Sequence, residues 1–153
     1  MTPPPESDPS VSLSPGAIEW ITAFADDEHL LGARHAAWIG LGPFLEEDLA
    51  FCSIAQDELG HAISLYEFVT DDVDRFGLLR PNDDYRSCWL AELPCESWDL
   101  ALVRHWLYDR AEVLRWQSLE RSSNAGLAAL AARAMREESF HRTHAEMFLS
   151  RVT

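Results

Sequence analysis

Two short motifs hold most of the chemical information in this sequence: Glu58-Leu-Gly-His61 and Glu138-Ser-Phe-His141. A carboxylate and an imidazole three residues apart share one face of a helix, about a turn apart. Together they present a hard oxygen donor and a nitrogen donor to one region, which suits a divalent transition metal. A single copy has blander readings, such as a salt bridge or a satisfied core histidine. Both copies, however, interrupt apolar stripes: Phe51, Ile54, Leu65 around the first, and Leu127, Ala131, Ala134, Ala145, Phe148 around the second.

The composition narrows what such a site can serve. The chain has 153 residues, the size of one domain, and 47% of them are hydrophobic. With 26 acidic against 12 basic residues the formal charge is −14. No basic stripe is available to displace counterions from a nucleic acid or to dock on an anionic membrane. Cys52, Cys88 and Cys95 are odd in number and never spaced as a C-x-x-C pair, so a reduced, cytoplasmic setting is expected. Residues 1–16 lack a basic segment followed by an apolar run and read as a disordered Pro/Ser-rich leader rather than a signal peptide. Residues 17–153 read as a single domain, without an apolar run of the ~20 residues a membrane span needs.

Helical periodicity governs that domain. It predicts a first helix from about Ala17 to Ile39, stopped by Gly40-Leu41-Gly42-Pro43, and a second from about Phe44 to Val69 with the acidic first turn Glu46-Glu47-Asp48. Residues 70–96 break the pattern with a glycine, two prolines and an Asp/Asn cluster, leaving one short helical piece around Leu90. A third helix runs from Ser97 or Trp98 to Ser122, and after the turn SSNAG a fourth runs from Leu127 to Arg151. Bundle connections usually take about 2–8 residues, so the long middle segment implies a crossover. Two antiparallel hairpins joined by one long crossover form a ferritin-like four-helix bundle, all-α.

That topology predicts the missing ligands. Residues equidistant from a hairpin turn lie at equal height, at about 1.5 Å per residue. The partner of Glu58 should lie near residue 27 or 28, where Glu28 stands, and the partner of Glu138 near residue 111, beside Glu112. The set Glu28, Glu58, His61, Glu112, Glu138 and His141 matches the donors of a di-iron carboxylate site, with the four glutamates as its catalytic carboxylates. Manganese accepts the same donors; a single tetrahedral zinc wants fewer. Asp26, Asp27, Asp109 and Glu137 compete for individual positions. A metal-free alternative pairs the buried Glu and His with one another and with Arg34, Arg115 or Arg136. Four buried carboxylates without a cation would cost several kcal/mol each unless protonated or paired. His29, His35 and His144 read as polar neighbours, His105 as core-lining, Asp109 as a partner for a ligating imidazole, and Trp38, Trp106, Trp116 and Tyr108 as packing.

Three stretches, LEEDLAFCSIAQDELGHA, DDYRSCWLAELPCESWDLALVRHWLYD and ALAARAMREESFHRTH, resemble the phenylacetic-acid catabolic proteins, the ferritin-like subunits of phenylacetyl-CoA epoxidase. The likeness runs from about residue 20 to 148 and is greatest to the C-type subunit, especially through YRSCWLAELP. The resemblance implies a structural subunit that has lost most iron ligands. Both Glu-x-x-His motifs nevertheless stand here opposite Glu28 and Glu112, as in the catalytic A-type subunit. Family members continue beyond the fourth helix with segments that contact other subunits and substrate, where this sequence stops.

The first expectation is therefore a non-haem di-iron oxidase or oxygenase using O₂ as co-substrate on a small organic molecule. Glu28 and His61 would serve one iron, Glu112 and His141 the other, with Glu58 and Glu138 bridging. Electrons would come from an external reductase, since no flavin or nicotinamide fingerprint is present. The competing expectations are a non-catalytic structural subunit of a multicomponent epoxidase-like complex, and a ferritin-like ferroxidase. Trp20, Trp89 and Trp98 suggest apolar surface suited to a homodimer.

Overall fold

A computed structural model describes residues 13–152; most of the expected leader, residues 1–12, lies outside them. Four long helices dominate: α1 (Pro15–Ala36), α2 (Leu45–Tyr66), α5 (Trp98–Glu120) and α6 (Ala125–Val152). Between α2 and α5 lie two short helices, α3 (Val73–Leu78) and α4 (Trp89–Glu92), and one 3₁₀ turn (Asn82–Asp84). No strand occurs among the described residues.

The helix ends follow capping chemistry more closely than apolar periodicity. α1 begins two residues before Ala17 because Ser14 caps it, accepting from the Ala17 N–H at 3.2 Å, with Pro15 in the first turn. α6 likewise starts at Ala125, because the Asn124 side chain accepts from the Gly126 and Leu127 N–H groups. α1 ends at Ala36 rather than Ile39; the chain tightens through Trp38 N–H to His35 O and reverses at Gly40, where φ is +83°. α3 is absent from the periodicity reading, and Asp72, accepting from the Arg75 N–H, nucleates it. Ser97 takes the cap position of α5 without a capping side-chain bond.

Side-chain contacts fix the directions. Across α1 and α5, Phe24 meets Trp116, Glu28 meets Tyr108 and His35 meets His105. Across α2 and α6, Glu47 meets His144, Asp57 meets His141 and His61 meets Glu137. Numbers rise on one helix as they fall on the other, so both facing pairs are antiparallel. α2 and α5 therefore run parallel, and only a crossover spanning the bundle's length can join them. This is the ferritin-like arrangement.

Within the first hairpin the backbones approach closely at Gly32, where an added Cβ would stand 2.7 Å from Leu59 Cγ and 3.1 Å from the Leu59 nitrogen. Gly32→Ala will therefore lower stability by about 1–3 kcal/mol, measured by denaturant unfolding, although alanine is the better helix former.

Apolar cores fill the bundle at both ends. One comprises Ile21, Phe24, Leu65, Tyr66, Trp116 and Leu127 with their alanine neighbours. The other comprises Phe51, Ile54 and Leu102, with Trp38, Trp98 and Phe148 against them. Trp98, expected on the surface, instead packs on Phe51 at 4.3 Å between centroids, whereas Trp20 and Trp89 are exposed. Between the two cores the interior turns polar.

Candidate metal centre

All six residues singled out by spacing and hairpin height point into that polar layer: Glu28, Glu112, Glu138 and His141 are fully buried, and Glu58 and His61 are 1% exposed. Donor atoms of Glu28, His61 and Glu112 lie within 4.8 Å of one another, as do those of Asp109, Glu112 and Glu138. Glu112 thus belongs to both groups and joins the halves of the site.

Each imidazole is held the same way. His61 turns Nδ1 inward, 3.2 Å from Glu28 and 3.8 Å from Glu138, while its Nε2 meets Glu137 at 2.7 Å. His141 turns Nδ1 to Glu138 at 3.3 Å, while its Nε2 meets Asp57 at 3.2 Å. The acid that precedes each motif's glutamate, Asp57 or Glu137, therefore holds the histidine of the opposite motif. A carboxylate on the outer nitrogen fixes the tautomer and leaves the inner nitrogen as a lone pair for a metal. The competition between Glu137 and Glu138 is thereby resolved by position: Glu138 faces in, and Glu137 orients.

Two residues expected only to pack also bond candidate carboxylates. The Trp116 indole N–H donates to Glu112 Oε1 at 2.7 Å, and the Tyr108 hydroxyl donates to Glu28 Oε1 at 3.3 Å. Asp26 and Asp27 face the crossover instead. Asp26 accepts from Tyr66, Arg80 and the Arg86 N–H; Asp27 accepts from Arg115 and the Cys88 N–H.

One assignment differs from expectation. Glu58 does not stand between the two halves as a bridge; its Oε2 lies 2.6 Å from His35 Nδ1, in a third group with His105. His35 and His105 are each seven residues, two turns, from Glu28 and Glu112 along antiparallel helices, so they share a level beyond the first set. Asp109 lies beside His105 Nδ1 at 3.1 Å, away from the His61 and His141 rings, but makes no hydrogen bond there. Both its oxygens are unpartnered, and one lies within 4.8 Å of donor atoms of Glu112 and Glu138. His144 pairs with Glu47 at 2.7 Å.

The electrostatics are those of a site short of positive charge. Burial pushes Glu28 and Glu112 well above the usual carboxylate range, and neighbouring carboxylates push Glu28 further. Burial raises Glu138 as well, and lifts Glu58 to about 8. Burial opposes protonation of His141, but the Asp57 carboxylate on its outer nitrogen and the neighbouring Glu138 carboxylate outweigh that and raise it well above its ordinary value. None of the arginines weighed as neutralising partners reaches the set. Arg34 donates to the Glu92 carbonyl, Arg115 to Asp27 and Tyr108, and Arg136 to the Ala132 carbonyl. Glu58 Oε1, Glu112 Oε2, both Glu138 oxygens and His141 Nδ1 are buried without a hydrogen-bond partner. Buried acceptors left this way are rare unless something outside the protein takes them up. Oxygen-rich donors with two imidazoles and converging free lone pairs fit a pair of divalent first-row ions.

The comparisons with known proteins agree with this architecture. The family model described as Phenylacetic acid catabolic protein matches residues 2–153. The C subunit of 1,2-phenylacetyl-CoA epoxidase from Escherichia coli (strain K12) is 27% identical over 128 residues, which cover 80% of this chain and 52% of that protein. The chain thus spans about half the length of the curated relative it matches. With the match extending over nearly every residue, the chain belongs to the phenylacetic acid catabolic protein family.

Proposed function

We propose that the protein is a non-haem di-iron oxidase or oxygenase acting on a small organic substrate. The observation that carries this reading is the pair of buried donor groups Glu28, His61, Glu112 and Asp109, Glu112, Glu138, joined at Glu112, in which Glu112 Oε2 and both oxygens of Asp109 and Glu138 lack a hydrogen-bond partner. Glu28, His61 and Glu112 would hold one ion, and Glu112, Glu138, Asp109 and His141 the other, with Glu58 reaching in from the His35 side. Two irons there would supply O₂ activation, with electrons from a separate reductase.

The chain's own residues perform the supporting work. Glu137 and Asp57 fix the two imidazole orientations, Trp116 holds Glu112 by Oε1 so that Oε2 is left to an ion, and Tyr108 holds Glu28 Oε1 while Glu28 Oε2 faces His61 Nδ1. The apolar cores on either side exclude bulk water. No helix among the described residues is long and apolar enough to cross a membrane.

The likeness to the C subunit of an epoxidase favours a second reading, a structural subunit serving a separate catalytic chain. Metal content decides between them. After anaerobic Fe(II) loading and desalting, the wild type is expected to retain about two irons per chain, and Glu138→Ala to lose at least one. Iron-free wild type would remove the oxygenase reading and leave the structural subunit.

A further inference from the structure

A second electrostatic anomaly lies beside the carboxylate cluster. Arg34 and Arg104 immediately precede His35 and His105, so they leave α1 and α5 about 100° around the helix from the buried histidines. Both reach the C-terminal end of α4. Arg34 Nη2 donates to the Glu92 carbonyl at 2.8 Å, and Arg104 Nη1 to the Leu93 carbonyl at 3.0 Å. Those bonds use one N–H group of each guanidinium. Arg104 is 3% exposed, yet its Nε and Nη2 have no partner, and neither has Arg34 Nε.

Among the described residues, the arginines that pair with carboxylates are Arg80, Arg110 and Arg115; Arg34 and Arg104 do not. Two neighbouring like charges withdrawn from water repel each other and forfeit hydration. In a chain with 26 acidic residues, a carboxylate from the protein itself would have been the ordinary remedy. Instead the two arginines line a cavity of about 240 Å³ together with Ala37, Trp38, Leu41 and Cys95.

We propose that this cavity binds the carboxylate head group of a small organic acid, with Arg34 and Arg104 as its clamp and Trp38 and Leu41 against its apolar body. A planar guanidinium fork matches a carboxylate with two parallel N–H bonds, and two forks neutralise both the ligand and each other's isolation. The volume lies below the ~300–1,000 Å³ of pockets for larger ligands, so a single ring or short chain fits and a nucleotide does not. The sequence adjacency of Arg104 and His105 places the clamp at the edge of the proposed metal layer. The inference deepens the oxygenase reading by naming an organic acid as substrate class, but the head group needs no metal to bind.

The test is titration of the full chain, as purified, with benzoate, followed by calorimetry and tryptophan fluorescence. Benzamide serves as the uncharged isostere. Benzoate is expected to bind, benzamide to bind at least about tenfold more weakly, and Arg34→Gln and Arg104→Gln each to weaken benzoate by about tenfold or more. Arg34 is only half-buried, so Arg34→Gln remains decisive should Arg104→Gln fail to fold. Equal binding of benzoate and benzamide, or benzoate binding unchanged in Arg34→Gln, would overturn the proposal. So would inorganic phosphate binding in place of benzoate with the same dependence on the arginines. Benzoate binding without iron retention would keep this site and remove the oxygenase reading; iron retention without benzoate binding would do the reverse.

Discussion

Stripped of metal by a chelator, the protein will lose stability as the pH is raised from about 6.5 to 8.5, and Fe(II) will reverse the trend. The sign follows from the buried carboxylates. Glu58 gives up its proton near 4.5 when unfolded and near 8 when folded, and Glu28, Glu112 and Glu138 are shifted the same way. An acid raised on folding contributes stability that is complete below the unfolded value and is lost as the pH climbs through the folded one. His141, raised well above 6.5, adds to the loss. His35 is lowered by burial, by His105 and by Arg104, so it opposes the trend only below about 6.5, which is why the window opens there. For Glu58 alone, the part of that gap lying above pH 6.5 corresponds to roughly 2 kcal/mol in the metal-free fold. In a domain of this size that is a fall in Tm of about 4–8 °C. A metal takes the deprotonated ligands, so its Tm increment must grow with pH. Glu58→Gln should flatten the metal-free curve. A metal-free Tm that stays level or rises across this window would show that the cluster is neutralised by a protein group, and the metal reading would fall with it.

The sequence made the helical part of this site legible because height and face are one-dimensional quantities. A hairpin turn and 1.5 Å per residue are enough to bring Glu112 beside Glu138 and Glu28 beside the Glu58-x-x-His61 motif, where it meets His61 rather than Glu58. What spacing cannot supply is the rotation of one helix against another and the reach of each side chain. Glu58 leaves the centre for His35 because two histidines, seven residues from Glu28 and Glu112, occupy a second level; the period-seven relation was visible, but not its consequence. Asp57 and Glu137 illustrate the same limit. Each is adjacent in sequence to a motif glutamate and works across the bundle on the other motif's histidine. The signal available was the repeated acidic pair Asp57-Glu58 and Glu137-Glu138, which periodicity alone treats as competition. Trp116 and Tyr108 read as packing in the sequence because burial hides the donor at the end of an aromatic ring.

Asp26→Ala will destabilise the protein by about 3–5 kcal/mol while leaving metal retention in the folded protein near that of the wild type. Asp26, Asp27 and Glu28 are consecutive, and on a helix their side chains diverge by about 100° per residue. Glu28 enters the polar layer, and the two aspartates dock the crossover. Asp26 gathers the Tyr66 hydroxyl at 2.6 Å, the Arg86 N–H at 2.7 Å and the Arg80 guanidinium. Arg80 is also stacked over Phe76 and Tyr85, so it cannot follow the lost carboxylate into water without dismantling the packing of α3. Alanine would strand a cation, a phenol and a backbone N–H together, the arrangement in which removing one partner costs far more than the pair contributes. Asp26→Asn keeps the shape and one acceptor and should lose less. Chemical denaturation measures the first effect, and iron content after loading at low temperature measures the second. A loss below about 1 kcal/mol would mean that the crossover is held by its apolar contacts alone. Iron lost from a protein that is still folded would move Asp26 into the metal centre, and the division of labour within Asp26-Asp27-Glu28 would have to be redrawn.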